Sequence, residues 1–219
     1  MHYKRTLLIL LSFVFIKGTR AQADNEIQVY ASPTIQRNWT IFELHTNHTF
    51  KGSLFLANPK SARWTNTTLE ITHGVANNFE LGFYTFASFS PEGRYQYLGN
   101  QIRPRITVPQ QWKWPLGASL SVEFGFFRPD EQSSFFWQGE VRPILDKTLG
   151  NWYFSLNPNI DFALSGPDKG AGFSPQFKAV YTIKNAVGIG FEYYGALGSF
   201  SQILPGQMQE HLIGPMFDL

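Results

Sequence analysis

The side chains able to do chemistry are few in this 219-residue chain, and their spacing is more informative than their number. Of five histidines, His2 lies in an N-terminal leader, while His73 and His211 stand alone. His45 and His48 are three apart, so on one extended strand they face opposite sides and cannot share a metal ion without a bulge. There is no cysteine, which removes thiolate zinc sites, disulfides and cysteine nucleophiles together. A hydrolytic site would need a serine, a histidine and an acid meeting within about 3 Å, and no serine is singled out by its neighbours. What does recur is charge at alternate positions: Glu80, Glu123, Glu140, Asp161 and Glu192, with Arg103, Arg105, Arg142 and Lys178 as candidate partners. Tyr84, Tyr153 and Tyr194 fall on the same polar faces. Paired carboxylates can work as acid and base. In a narrow interior, however, an unpaired buried charge is costly, so ion pairing is the expected role. These residues are the candidate solute pathway, and no catalytic set, cofactor or metal is expected. Three Asn-x-Thr triplets, at Asn38, Asn47 and Asn66, carry meaning only in a eukaryotic secretory pathway.

Such a ladder needs strands to hold it, and a period of two runs through most of the chain. It is cleanest from Asn151, where Trp152, Phe154, Leu156, Pro158, Ile160, Phe162 and Leu164 alternate with Tyr153, Ser155, Asn157, Asn159, Asp161 and Ser165. Phe173 to Ile183 and Val187 to Leu197 repeat the pattern, joined by a tight step at Asn185-Ala186. Phe79 to Phe89, Tyr95 to Val108, Ser119 to Phe126 and Ser134 to Leu145 read the same way. Trp39 to His48 and Trp64 to Val75 are weaker, and His211 to Leu219 is the last. The count is about ten strands, with no helix of useful length.

The faces are inverted relative to a water-soluble sandwich. Their apolar sides carry stacked Phe, Trp, Leu and Ile, whereas the polar sides carry Gly, Ser, Asn, Tyr and single charges, which suits a narrow lumen inside a lipid-facing wall. Charged residues make up 16% of the chain against about 25% in ordinary soluble domains. Each strand is long enough to cross the hydrocarbon when tilted. Trp39, Trp64, Trp112, Trp114, Trp137 and Trp152 fall at or near strand ends, as an interfacial belt requires. Lys4 and Arg5, the apolar run Leu7 to Ile16 and Ala21-Gln22-Ala23 read as a secretory signal over residues 1–23. A polar segment, 24–37, then precedes the barrel, 38–219. A pI near 8.8 with so few charges leaves no basic face for nucleic acid.

The run Ala179-Val-Tyr-Thr-Ile-Lys-Asn-Ala-Val-Gly-Ile-Gly-Phe-Glu-Tyr-Tyr-Gly195, preceded by Trp152-Tyr-Phe-Ser-Leu-Asn-Pro-Asn159, resembles the outer-membrane proteins of the MetA-pathway phenol-degradation family. Thr72-His-Gly-Val-Ala-Asn-Asn-Phe-Glu-Leu-Gly82 resembles a hairpin of that family between early strands. The likeness covers roughly Trp39 to Leu219 and implies an outer-membrane barrel that moves small compounds, aromatic ones among them. Family members run on through about two further strands to a C-terminal aromatic residue. This chain stops at Phe217-Asp218-Leu219, so it reads as C-terminally truncated from a complete barrel of twelve.

The expected fold is therefore an all-β, antiparallel up-and-down transmembrane β-barrel, monomeric, in the bacterial cell outer membrane. Its expected partners are outer-membrane lipid, a small-molecule solute and, during biogenesis, the barrel assembly machinery. Two other functions stay open: a lipid-active enzyme at the outer rim of the same barrel, and a secreted soluble calyx with an apolar interior. The short steps Ala76-Asn77-Asn78 and Asn185-Ala186 share one side, expected to be periplasmic. The loops Gly166 to Gly172 and Ser199 to Gln207, with the short Pro91-Glu92-Gly93, fall outside the cell. Since the carboxylates of the ladder exceed its cations by one, a near-neutral constriction is expected.

Overall fold

A computed structural model describes residues 28–48, 50, 63–129, 132–166, 170–184, 187–199 and 202–218. The leader, the step at Asn185-Ala186 and, within the expected outer loops, residues 167–169 and 200–201 lie outside the described residues. Ten strands form one antiparallel sheet in chain order: β1 (Thr40–His48), β2 (Thr65–Ala76), β3 (Phe79–Phe89), β4 (Tyr95–Thr107), β5 (Gly117–Phe127), β6 (Phe136–Leu149), β7 (Trp152–Ala163), β8 (Gly170–Ile183), β9 (Val187–Ala196) and β12 (Glu210–Asp218). A separate ribbon, β10 (Gly198–Ser199) with β11 (Gln202–Ile203), sits in the connection before β12. This is an up-and-down, barrel-like all-β fold, with β1 and β12 as the two edges of the sheet.

The turns follow their residues. Asn77-Asn78 joins β2 to β3 with Asn78 at φ 65°, and Gly150-Asn151 joins β6 to β7 with Gly150 at φ 59°, left-handed conformations that asparagine and glycine tolerate. Most boundaries fall within two residues of expectation, and two differ by more. β6 runs on to Leu149 because Asp146, Lys147, Thr148 and Leu149 pair in register with Ser155, Phe154, Tyr153 and Trp152; the charged pair Asp146-Lys147 had masked the alternation. β8 begins at Gly170, so the expected loop Gly166 to Gly172 is partly strand. Gly170, Ala171 and Gly172 are held against Ala163, Phe162 and Asp161, and pairing overrides the turn preference of glycine.

Both faces fall where the alternation put them. Trp152, Phe154, Leu156, Ile160, Phe162, Phe177, Ile189 and Phe191 share the outer face, while Asn157, Asp161, Lys178 and Glu192 share the inner one. Leu156 and Phe191 are each 43% exposed, whereas Asn157, next to Leu156 in sequence, is 0% exposed. Outer aromatics stack, Phe124 on Trp137 across β5 and β6 and Trp152 on Phe154 along β7. Trp39, Trp112, Trp114 and Trp152 mark the end of the short turns, and Trp64 and Trp137 mark the other end. Inside, the buried side chains are largely polar and charged, Glu70, Glu80, Arg103, Asn157 and Asn159 among them. The apolar exception is a cluster of Tyr84, Phe86, Leu98 and Phe127, with Phe136 against it.

Candidate functional site

The inner face gathers the expected ladder and connects it. Arg105 and Arg103 stand two apart on β4, so both point inward at β3 and β2. The guanidinium of Arg103 donates to Glu80 at 3.1 Å, to Thr72 Oγ1 at 3.1 Å and to Glu70, and Arg105 Nη2 lies 2.7 Å from Glu80 Oε1. Thr72 in turn donates its hydroxyl to Glu70 at 2.6 Å. On β6, two residues apart, Arg142 forks onto both oxygens of Glu140. Lys178 Nζ lies 2.7 Å from Glu192 Oε1, whose other oxygen accepts from the Tyr194 hydroxyl at 2.6 Å. Asp161 departs from the expected pairing and accepts from the Ser174 hydroxyl. Glu123 and Glu140 are directly opposed across β5 and β6, with Arg142 beside them. Tyr84 is fully buried, and Tyr153 donates to Asp146 at 3.0 Å.

Through this network passes the chain's own N-terminal segment, residues 28–36. It forms no helix or strand, so its backbone groups need partners from the wall. Tyr30 N–H donates to Asn157 at 2.8 Å, and the Tyr30 carbonyl accepts from Ser155 at 2.6 Å and Asn157 at 3.1 Å. The carbonyls of Ala31 and Pro33 each accept from Arg105 at 3.0 Å. Ser32 donates its N–H and hydroxyl to the two oxygens of Asp146, at 2.6 and 2.9 Å, and Ile35 N–H donates to Glu80 at 2.7 Å. The Tyr30 ring lies among three guanidinium groups, those of Arg142 at 4.4 Å, Arg103 at 5.0 Å and Arg105 at 5.7 Å, with its hydroxyl 2.9 Å from that of Tyr84. One short segment thus touches β3, β4, β6 and β7 at once, which places it inside the curl of the sheet. At the end of the short turns it emerges beside an open cleft of about 790 Å³ lined by Ile35, Asn78, Thr107, Trp114 and Asp146.

The segment leaves over Gly74, where a Cβ would come within 2.1 Å of the Gln36 carbonyl oxygen. Gly74→Ala is therefore expected to cost about 1–3 kcal/mol of stability through overpacking. Gly214→Ala, whose added Cβ meets no atom within 4 Å, is expected to cost less, and thermal unfolding of the two variants checks this.

Sequence reasoning missed Glu43, Glu70, Asp146, Glu210 and Asp218, and the internal course of residues 28–36. Glu70 lay in a stretch of weak alternation and Asp146 beyond the expected strand end. Nothing local marks residues 28–36 as an internal segment. The omissions change the charge balance. Among the described residues, ten inner-face carboxylates, those of Glu43, Glu70, Glu80, Glu123, Glu140, Asp146, Asp161, Glu192, Glu210 and Asp218, stand with the four cations Arg103, Arg105, Arg142 and Lys178. The near-neutral interior expected from the ladder is corrected to a clearly acidic one. Of the histidines, His48 and His73 hydrogen-bond the hydroxyls of Thr65 and Thr40, and His211 that of Tyr193. No family model, curated protein or solved structure matches the chain.

Proposed function

We propose that this chain is an outer-membrane β-barrel that binds small solutes, aromatic ones among them, in a narrow polar lumen, and passes them when residues 28–36 withdraw. The observation that carries this reading is the inversion of the wall: charged side chains are buried against the chain's own N-terminal segment, while Phe, Leu, Ile and Trp stand exposed on the outer face. A soluble calyx would require the opposite arrangement. An apolar outer face with aromatic residues at both ends fits lipid and its two interfaces.

Single-channel recording of the refolded full chain in a planar bilayer tests it. Low, intermittent conductance that small aromatic solutes reduce is the expected result. A steady conductance indifferent to every solute, or failure of the folded protein to insert, would contradict the reading. Leu156→Arg, which sets a charge on the outer face near the middle of β7, is expected to destabilise the inserted barrel by about 2–4 kcal/mol, measured by reversible unfolding in lipid. For orientation, a tag in the Pro91-Glu92-Gly93 turn is expected to be reachable by antibody on intact cells and a tag at Gly150-Asn151 protected; the reverse pattern would invert the assignment.

A further inference from the structure

His45 shares no ion with His48, which points to the other face of β1, but two carboxylates stand beside it, one on its own strand and one across the sheet. Glu43 on β1 stands directly opposite Glu70 on β2, and His45 follows Glu43 by two residues on the same inner face. One ligand atom from each of Glu43, His45 and Glu70 lies within 4.8 Å of the others. His45 Nε2 is 3.4 Å from Glu70 Oε2, close to the roughly 3.3 Å that separates two ligand atoms sharing one tetrahedral zinc at bonds of about 2.0–2.1 Å. Glu70 is 1% exposed, and its Oε2, aimed at this cluster, meets the His45 ring there. Its other oxygen is fixed by the Thr72 hydroxyl at 2.6 Å and by Arg103, the kind of outer contact that orients a ligating carboxylate.

We propose that Glu43, His45 and Glu70 form a binding site for a divalent first-row transition-metal ion of the zinc class, on the inner face of the first two strands. One nitrogen and two carboxylate oxygens suit such an ion, and three protein ligands leave a fourth position for water or a lumen solute. Charge favours it as well. Glu43, Glu70 and Glu80 meet Arg103 and Arg105, so one negative charge is in excess with His45 neutral. The competing arrangement is a protonated His45 acting only as an ion-pair partner of Glu70.

The test is zinc titration of the tag-free full chain refolded in detergent, in competition with a chromophoric chelator at pH 7.5, followed by cobalt substitution. One equivalent is expected to bind at micromolar concentration or tighter, with visible cobalt bands of low-symmetry four- or five-coordination. Affinity is expected to fall as pH drops, because the imidazole must be neutral to ligate. His45→Ala and the more conservative Glu43→Gln are each expected to weaken binding by more than about 100-fold, beyond the 10–100-fold typical of outer partners. Thr72→Val, an outer change, is expected to fall within that smaller range. Both ligand variants are compared with the parent in metal-free unfolding, so that loss of fold is told apart from loss of a ligand. Absence of stoichiometric binding by the folded parent would overturn the proposal, as would zinc binding that survives both His45→Ala and Glu43→Gln in folded protein.

Discussion

Deleting residues 28–36 is expected to turn a barely conducting barrel into a steadily open, cation-selective one. In the intact chain those residues satisfy Asp146, Glu80, Arg105 and Asn157 through their backbone and side chains, and Tyr30 fills the space among Arg103, Arg105 and Arg142. Withdrawing them replaces fixed protein partners with water and leaves an interior in which, among the described residues, acidic side chains outnumber basic ones ten to four. Such a lining concentrates cations and repels anions, most strongly at low salt, where the charges are least screened. Reversal potentials across a salt gradient read the selectivity directly. A milder change, Tyr30→Ala with Ser32→Ala, is expected to raise the frequency of open events without fixing the open state. Equal conductance in the intact and deleted chains would show that the segment does not obstruct the lumen. Anion selectivity in the deletion would show that the inward carboxylates do not set its field.

Arg103→Ala is expected to destabilise the folded chain by about 3–5 kcal/mol, the cost of leaving buried charge without its partner. One guanidinium bridges Glu70 on β2 and Glu80 on β3 and also meets Thr72; it is 2% exposed. Its loss leaves Glu70 with Thr72 and His45, and Glu80 with Arg105 and the Ile35 amide. Leu120→Ala on the outer face removes apolar contact from a side chain already 43% exposed and is expected to cost well under half as much. Arg103→Lys should rescue only part of the loss, because one ammonium cannot fork to both carboxylates as the planar guanidinium does. Reversible urea unfolding followed by tryptophan fluorescence compares the three. A cost below about 1 kcal/mol for Arg103→Ala would mean that water reaches and screens the pair, as it does for exposed ion pairs.

Much of this was written in the alternation. Trp152 to Ala163 and Gly170 to Ile183 declare their strands because every second residue is large and apolar, and a one-residue slip would turn the whole set over. For the same reason Glu80, Arg103, Arg105, Glu123, Glu140 and Arg142 could be assigned to one interior before any distance was known. Which carboxylate meets which cation was not legible, since cross-strand register is fixed by turns and bulges such as that between Phe86 and Ala87. Glu43 and Glu70 form a neighbouring pair only once β1 is laid on β2: 26 residues lie between them, and both fall in segments, Trp39 to His48 and Trp64 to Val75, whose alternation is weak. The internal course of residues 28–36 has no local signature at all: an irregular segment satisfied by a wall looks, in sequence, like an irregular segment satisfied by water.

Single cysteines placed at Phe154 and Ile189, and in parallel at Asn157 and Lys178, test most directly whether the apolar outer face meets lipid and the polar face a lumen. The chain has no cysteine of its own, so each site reports alone. In detergent-free membranes, an apolar maleimide is expected to label the positions at Phe154 and Ile189 and a charged, membrane-impermeant one to leave them untouched. At Asn157 and Lys178 the apolar reagent is expected to have no advantage. Labelling of Phe154 and Ile189 by the charged reagent, with the apolar one favouring Asn157 and Lys178, would contradict the barrel in its central claim.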